Sequence, residues 1–522
     1  RSHPGRETQR HPAQRHEPGG TGAGAKIVET PMIRRTFLKT LLAGASASMI
    51  DSGAMAAAAA SRAAPAGRSR SRKVVIGGAG ITGLCCGYEL MKAGFDVTLL
   101  EAAGRYGGHV FTGSDGLSDG LYADFGADHI TRPGYERLLE YAEEFGIALI
   151  PYPNAEGSWL PYKDHDLRMI GGSFYTNRML ADPATLARLG FNGREVRFLS
   201  KHPWYELESS YLQPYVDRIK DPYHPFGAGL DDLDKVAISD LLKREGASPT
   251  AVDSLGEEQS SALYRIWRLA AMRHRRIPSS EGEMFRLKGG NEQLPIAFAR
   301  RLGQRVRLAH RITAIRQSHD GVTVSYREYG GEESKTLDAD FFVNCISLTV
   351  FRSIPITPAL SPAKQHVVDN LTYTSHPFYV FEAGSKFWLE DGLKSINMEL
   401  DHPLISSIWE MPSEVKTPRV LLKAYGPGGL SPQRVLAAFR QVYPGKHDTI
   451  VAALTKDWTQ DEFAPSCEML PFPLGEMHKF WPQILQPEGR IYFAGTYADL
   501  LSRGMESCIR SAQRVVREIR KA

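Results

Sequence analysis

The sequence is poor in cysteine. Only Cys85, Cys86, Cys345, Cys467 and Cys508 occur in 522 residues. They are odd in number, scattered and without the CxxC spacing of a metal site. That argues against a disulfide framework or a structural zinc site; the five read as small buried apolar side chains, and no metal is expected. An excess of one charge is missing as well. The formal charge of +4 resides in the first 60 residues, which hold 8 Lys or Arg against 4 Asp or Glu; the remainder has 55 of each. A neutral body offers no electrostatic attraction for nucleic acid or anionic lipid, and no nucleic-acid partner is expected. The weakly apolar stretch from Thr40 to Ile50 falls short of the roughly 20 residues needed to span a bilayer. What remains is an ordinary composition, 42% hydrophobic and 23% charged, in a chain long enough for more than one domain.

Residues 1–71 read as upstream extension, signal and linker. Residues 1–31 are rich in Gly, Pro, Arg and His and have no periodicity. Met32, expected to be the natural start, opens Met-Ile-Arg34-Arg35-Thr-Phe37-Leu38-Lys39. This resembles a twin-arginine motif. The apolar Thr40–Ile50 stretch and the small residues from Ala54 to Ala60 then follow in the order of an export signal. The expectation is folded export by the twin-arginine machinery to the periplasm or beyond, with a disordered basic tail as the alternative.

Lys73-Val74-Val75-Ile76 is a short β-branched run and reads as a buried strand. Gly78-Ala79-Gly80-Ile81-Thr82-Gly83 follows at once, then a helical stretch over Leu84–Lys92. A second strand, Asp96–Leu100, ends at Glu101. Gly78 permits the tight turn, Gly80 lets backbone approach a pyrophosphate, and Gly83 lets helix and strand pack closely. The helix N-terminus offers free N–H groups to phosphates, and Glu101 can accept from ribose hydroxyls. A lone GxGxxG is weak; strand, glycines, helix, strand and terminal acid together specify a dinucleotide site.

Further motifs carry a family resemblance. Glu101-Ala102-Ala103-Gly104-Arg105-Tyr106-Gly107-Gly108 resembles the second phosphate-contacting motif of glutathione-reductase-type FAD proteins, and of flavin amine oxidases in particular. Gly489–Gly495 resembles that family's last flavin-binding strand. Met505-Glu506-Ser507 opens what resembles the helix facing the flavin. Lys288-Gly289-Gly290-Asn291 resembles its glycine turn, and Val306–Ile315 the strand on the adenine side. The closest likeness is to L-amino acid oxidases, over roughly residues 72–520. It implies an α/β fold. An FAD-binding Rossmann domain is expected from 72–113, 284–347 and 470–522. A substrate domain of mixed sheet plus helices is expected from 114–180 and 348–469, and a helical insertion from 181–283. FAD is expected to be non-covalent. Its expected contacts are Gly78, Ala79, Gly80, Thr82, Gly83, Glu101, Ala102, Arg105, Gly107, Gly108, His109, Val306, Gly495, Thr496, Met505, Glu506 and Ser507.

The sequence departs from the family where substrate binds. His129 stands where L-amino acid oxidases have an arginine that pairs with the substrate carboxylate; only arginine is both always charged and bidentate. Phe378 stands where an active-site lysine usually holds a water at the flavin. His109 replaces an arginine, Thr496 a glutamate, and Gly504 an aromatic residue. Tyr425 falls on the carboxylate-binding tyrosine and His274 on a histidine at the site's mouth. His109, Asp128 and His129 read either as a polar wall near the flavin or as supporting packing. The resemblance implies hydride transfer to flavin from the carbon beside an amine, then hydrolysis of the imine, with O2 or another acceptor taking the electrons. Alternatives are a dehydrogenase, desaturase or isomerase for an apolar non-amine substrate, and a non-catalytic flavin-binding protein. The expected partners are an amine-like small molecule and the electron acceptor, with a homodimer left open.

Overall fold

The computed structural model describes residues 71–152, 166–255, 260–277, 283–374, 377–445, 448–466, 468–501 and 504–522. The twin-arginine segment and Cys467 lie outside the described residues. Strands and helices framing the site are, in chain order, β1 (Lys73–Gly77), α1 (Ile81–Lys92), β2 (Asp96–Leu100), β3 (Val306–Arg307), β4 (Phe341–Asn344), β5 (Phe378–Ala383), β6 (Val420–Tyr425), β7 (Ile491–Phe493) and α2 (Gly504–Lys521).

A parallel sheet runs β3-β2-β1-β4-β7. Its inner strands are apolar because both faces are covered: Val74 and Ile76 pack into one core, Val75 into another. α1 begins at Gly80 and ends before Gly94, whose φ of +87° only glycine adopts readily. α2 buries Met505, Cys508, Ile509, Ala512, Val515, Val516 and Ile519, one stripe at three- and four-residue spacing, and packs it against α1. The sheet therefore joins segments from both ends of the described chain, the α/β arrangement expected for dinucleotide binding.

A second, seven-stranded sheet carries β5 between Ile450–Lys456 and β6. β5 and β6 are antiparallel, pairing Phe378 with Tyr425 and Val380 with Lys423. Between residues 181 and 283 the described chain is mainly short helices, ending in Ala262–His274. All these segments belong to one compact unit, Ser69–Ala522.

Candidate functional site

The glycine turn is built as its chemistry requires. Gly78 has φ +93° and its N–H donates to Leu100 O at 2.8 Å, tying the turn to the end of β2. A Cβ on Gly83 would sit 2.0 Å from Gly78 O, so α1 lies against β1 only with glycine there. The second glycine motif is fastened to the first: Gly107 N–H donates to Ala79 O at 2.9 Å. Gly80 and Gly108 face each other, and a Cβ on Gly108 would be 3.3 Å from Gly80 Cα. α1 starts with no side-chain cap and no acid in its first turn, leaving its positive end for an anion.

Glu101 closes this end. Its two carboxylate oxygens accept from Ala79 N–H at 2.6 Å and Ala103 N–H at 2.8 Å. Burial pushes its carboxyl up, against the pull of those two bonds. Each oxygen keeps accepting capacity for a hydroxyl pair. Arg105 turns inward, donating to Tyr106 O at 3.2 Å and also to Gly108 O. His109 stacks on Trp458 with ring centroids 4.2 Å apart, and its Nε2 is 2.7 Å from Ala464 O. A carbonyl only accepts, so Nε2 carries the hydrogen. The buried Nδ1 is then an acceptor with no partner among the described residues. Burial lowers the His109 pKa to about 4.

One cavity of about 1120 Å³ runs from this turn to the second sheet. It exceeds the usual range for one small ligand, roughly 300–1,000 Å³. Its lining includes Gly78, Gly80, Glu101, Ala102, Arg105, Gly107, Gly108 and His109 from the first end, and Gly495, Thr496 and Met505 from the last strand and helix. Of the expected substrate-side residues, Phe378, Tyr425 and His129 line it. Phe378 and Tyr425 form an aromatic wall, 4.8 Å between centroids, and Trp409 packs against Tyr425 at 4.9 Å.

Other expected residues lie elsewhere. Ala79 contributes its N–H to Glu101, while Thr82 and Gly83 are buried in the helix packing rather than in the cavity wall. Val306 belongs to the edge strand β3, and Arg311, Ile312 and Thr313 line the cavity there instead. Glu506 turns away: it accepts from Leu138 N–H at 2.9 Å and pairs with Arg510 at 2.8 Å, and Ser507 is buried beside it. His274 is exposed at the end of its helix, edge-on to Tyr223, and does not reach the cavity wall. The phase of the helix ending at His274 sends that side chain to solvent.

Sequence reasoning missed Lys423. It is fully buried on β6, with Nζ 3.1 Å from Asp128 Oδ2, 2.9 Å from Asp124 O and 3.6 Å from the centre of the Phe378 ring. Asp124 pairs in turn with the buried Arg286 at 3.0 Å. Asp128 and His129 are joined at 2.8 Å. His109, grouped with them on sequence, has the separate partners given above. The Gly289-Gly290-Asn291 turn holds this segment. Asn291 Nδ2 donates to Ala127 O at 3.0 Å and Asp128 O at 2.8 Å. Gly126 is required too, since a Cβ there would meet His109 O at 1.7 Å.

The residues present fit FAD. A glycine cradle that a Cβ would fill, an uncapped helix end, a buried carboxylate with spare accepting capacity and the unpartnered His109 Nδ1 together suit a pyrophosphate, a ribose and a polar heterocycle.

Residues 81–520 match the family described as flavin containing amine oxidoreductase. An L-amino-acid oxidase of Vipera ammodytes ammodytes is 26% identical over 474 residues, covering 87% of this chain and 94% of that protein. An L-amino-acid oxidase of Bothrops pauloensis is 27% identical over 477 residues, covering 87% and 90%. Wild-type putrescine oxidase, solved bound to putrescine, is similar in fold with a TM-score of 0.68 at 20% identity, over 87% of this chain and 99% of that one. Cyclohexylamine oxidase from Brevibacterium oxydans IH-35A gives a TM-score of 0.68 at 21% identity, over 86% and 99%.

Proposed function

The chain belongs to the flavin-containing amine oxidoreductases, and from that membership we propose that it oxidises amines lacking a free α-carboxylate, using non-covalently bound FAD. The observation that carries this reading is the single cavity joining the Gly78–Gly80 turn to the Phe378, Tyr425 and His129 wall. FAD, when bound, supplies the acceptor for a hydride from the carbon beside the amine nitrogen. The chain's own part is to hold that carbon in place and keep bulk water away. Phe378 and Tyr425 offer flat apolar faces to the substrate's hydrocarbon part. Water then hydrolyses the imine product.

The restriction to amines without a carboxylate follows from His129. A charge-assisted carboxylate bond of the arginine kind contributes roughly 1.5–3 kcal/mol, about 10- to 150-fold in binding. Neutral Tyr425 makes a weaker one. The test is anaerobic flavin bleaching by benzylamine, phenethylamine, L-phenylalanine and L-phenylalaninamide, with peroxide release measured in air. We expect the amide and simple amines to give higher kcat/KM than the free acid, and His129→Arg to tighten binding of L-phenylalanine, read as a lower Kd from the perturbed flavin spectrum. A large wild-type preference for the free acid at alkaline pH would sink the substrate reading. Phe378, which roofs Lys423, leaves the wall apolar. Bleaching by a non-amine alone would therefore favour the dehydrogenase reading. We also propose export through the twin-arginine machinery, on the strength of the Arg34-Arg35 motif.

A further inference from the structure

Asp128 and His129 are neighbours in sequence with opposite surroundings. The Asp128 side chain is 6% exposed and that of His129 39% exposed, in the wall of the cavity. Asp128 Oδ1 lies 2.8 Å from His129 Nδ1. An ionised carboxylate only accepts, so Nδ1 carries the hydrogen, and Nε2 of the neutral ring is a bare acceptor. Asp128 is kept ionised. Burial alone would raise its pKa, but the Lys423 charge, with hydrogen bonds from Lys423 and His129, holds the carboxyl well below the usual range. It is also kept in place, by Lys423 on one oxygen and by Asn291 on its backbone carbonyl. Lys423 with Asp128 and Arg286 with Asp124 balance in charge, so the His129 imidazole sits at the edge of a buried cluster in which those four charges cancel. An arginine at this position would present fixed positive charge to the substrate; His129 presents an acceptor with a carboxylate behind it.

We propose that Asp128, seated on Lys423, orients His129 as the base that takes a proton from the substrate's ammonium group, so that the site recognises its substrate as a cation. This rests on the amine reading above. In the step, one N–H bond of the ammonium breaks and its electron pair stays on the substrate nitrogen as the lone pair of the free amine. A new N–H bond forms at His129 Nε2. The resulting imidazolium faces the Asp128 carboxylate, which stays ionised, and Nε2 later returns the proton to water. His129 is the catalytic residue; Asp128 and Lys423 are positioning residues. Tyr135, Tyr373, His402, Tyr425 and Tyr497 are further titratable side chains in the wall of this cavity.

The experiment uses flavin-loaded protein, anaerobic, with phenethylamine at neutral pH. His129→Ala should slow flavin reduction by about 10²- to 10⁴-fold, the usual weight of a general base. Added imidazole should restore part of the rate with saturation while leaving wild type unaffected. Asp128→Asn should lower kcat more than it raises KM. Because that variant strands Lys423, the charge-balanced Asp128→Asn with Lys423→Met is made beside it and should show the same kinetic loss. A readout independent of turnover is the His129 tautomer by ¹⁵N NMR: Nδ1–H in wild type, Nε2–H once an Asn amide can donate to Nδ1. Wild-type rates in His129→Ala, a loss that imidazole does not rescue, or an Nε2–H tautomer in wild type would each overturn the proposal while leaving the amine reading intact. Failure of every amine to bleach the wild-type flavin would defeat both.

Discussion

Lys423 occupies the middle of Val-Leu-Leu-Lys-Ala-Tyr, a strand otherwise apolar up to its terminal tyrosine. A lysine there signals that a partner must exist, but Asp124 is 299 residues earlier and nothing local names it. Removing one member of a buried ion pair costs about 3–5 kcal/mol, because the other charge is stranded, whereas removing both can be nearly neutral. Lys423→Met should therefore lower the unfolding free energy by about that amount, and adding Asp128→Asn should recover most of it, as read from urea midpoints at unchanged slope. His109 supplies a pH test. Its folded pKa of about 4 lies below the unfolded value near ~6.5. The neutral ring thus stabilises the fold above pH ~6.5. As pH falls from there toward 4, the unfolded chain takes up a proton that the folded chain refuses, and stability declines. His109→Phe has no such proton and should show a shallower loss between pH 7 and 5. Equal slopes in the two proteins would show that His109 binds its proton alike in both states.

At the scale of the element, the β1–α1–β2 unit was legible because its signals are local. The second strand forms over the residues expected, and Glu101 closes it. α1 starts at Ile81 rather than Leu84, because Ile81–Gly83 serve as both glycine motif and first helical turn. Val306 and His274 were less legible: whether a side chain faces a cavity depends on sheet-edge position and helix phase, and neither appears in a motif. The two glycines flanking Ile81 and Thr82 should respond differently to the same change. Gly80 has φ −67° and ψ 175°, open to any residue, and its Cβ would meet only Gly108 Cα at 3.9 Å. Gly80→Ala should fold normally without flavin yet retain less of it, seen as a lower 450/280 nm absorbance ratio after gel filtration. Gly83→Ala must push α1 off β1 and should lower the Tm of the flavin-free protein itself. A matching Tm loss in both would refute the distinction.

Across the whole molecule, the fold class followed from motifs at both ends of the chain, since Gly78 and Gly495 can share a cavity only in a sheet that joins distant segments. The apolar runs at Leu371–Phe381 and Val420–Ala424 mark strands for a sheet over the flavin, and β5 and β6 form there; which of their residues face each other did not follow, because that register is set by tertiary pairing. The proposed folded export belongs to this scale. Replacing Arg34 and Arg35 together by Lys should hold flavin-loaded protein in the cytoplasm, measured by fractionation; normal export of the paired variant would disprove the twin-arginine route. The sheet order β3-β2-β1-β4-β7, with α2 lying on α1, carries a consequence in time. A ribosome makes the first strand of this sheet more than 400 residues before the last. Until β7 is laid beside β4 and Met505 reaches the cavity, the nascent protein has only part of a flavin site, and its early strands wait with an unpaired edge. Cofactor capture thus marks the end of synthesis rather than its course, and a yellow chain is one whose translation has passed residue 505.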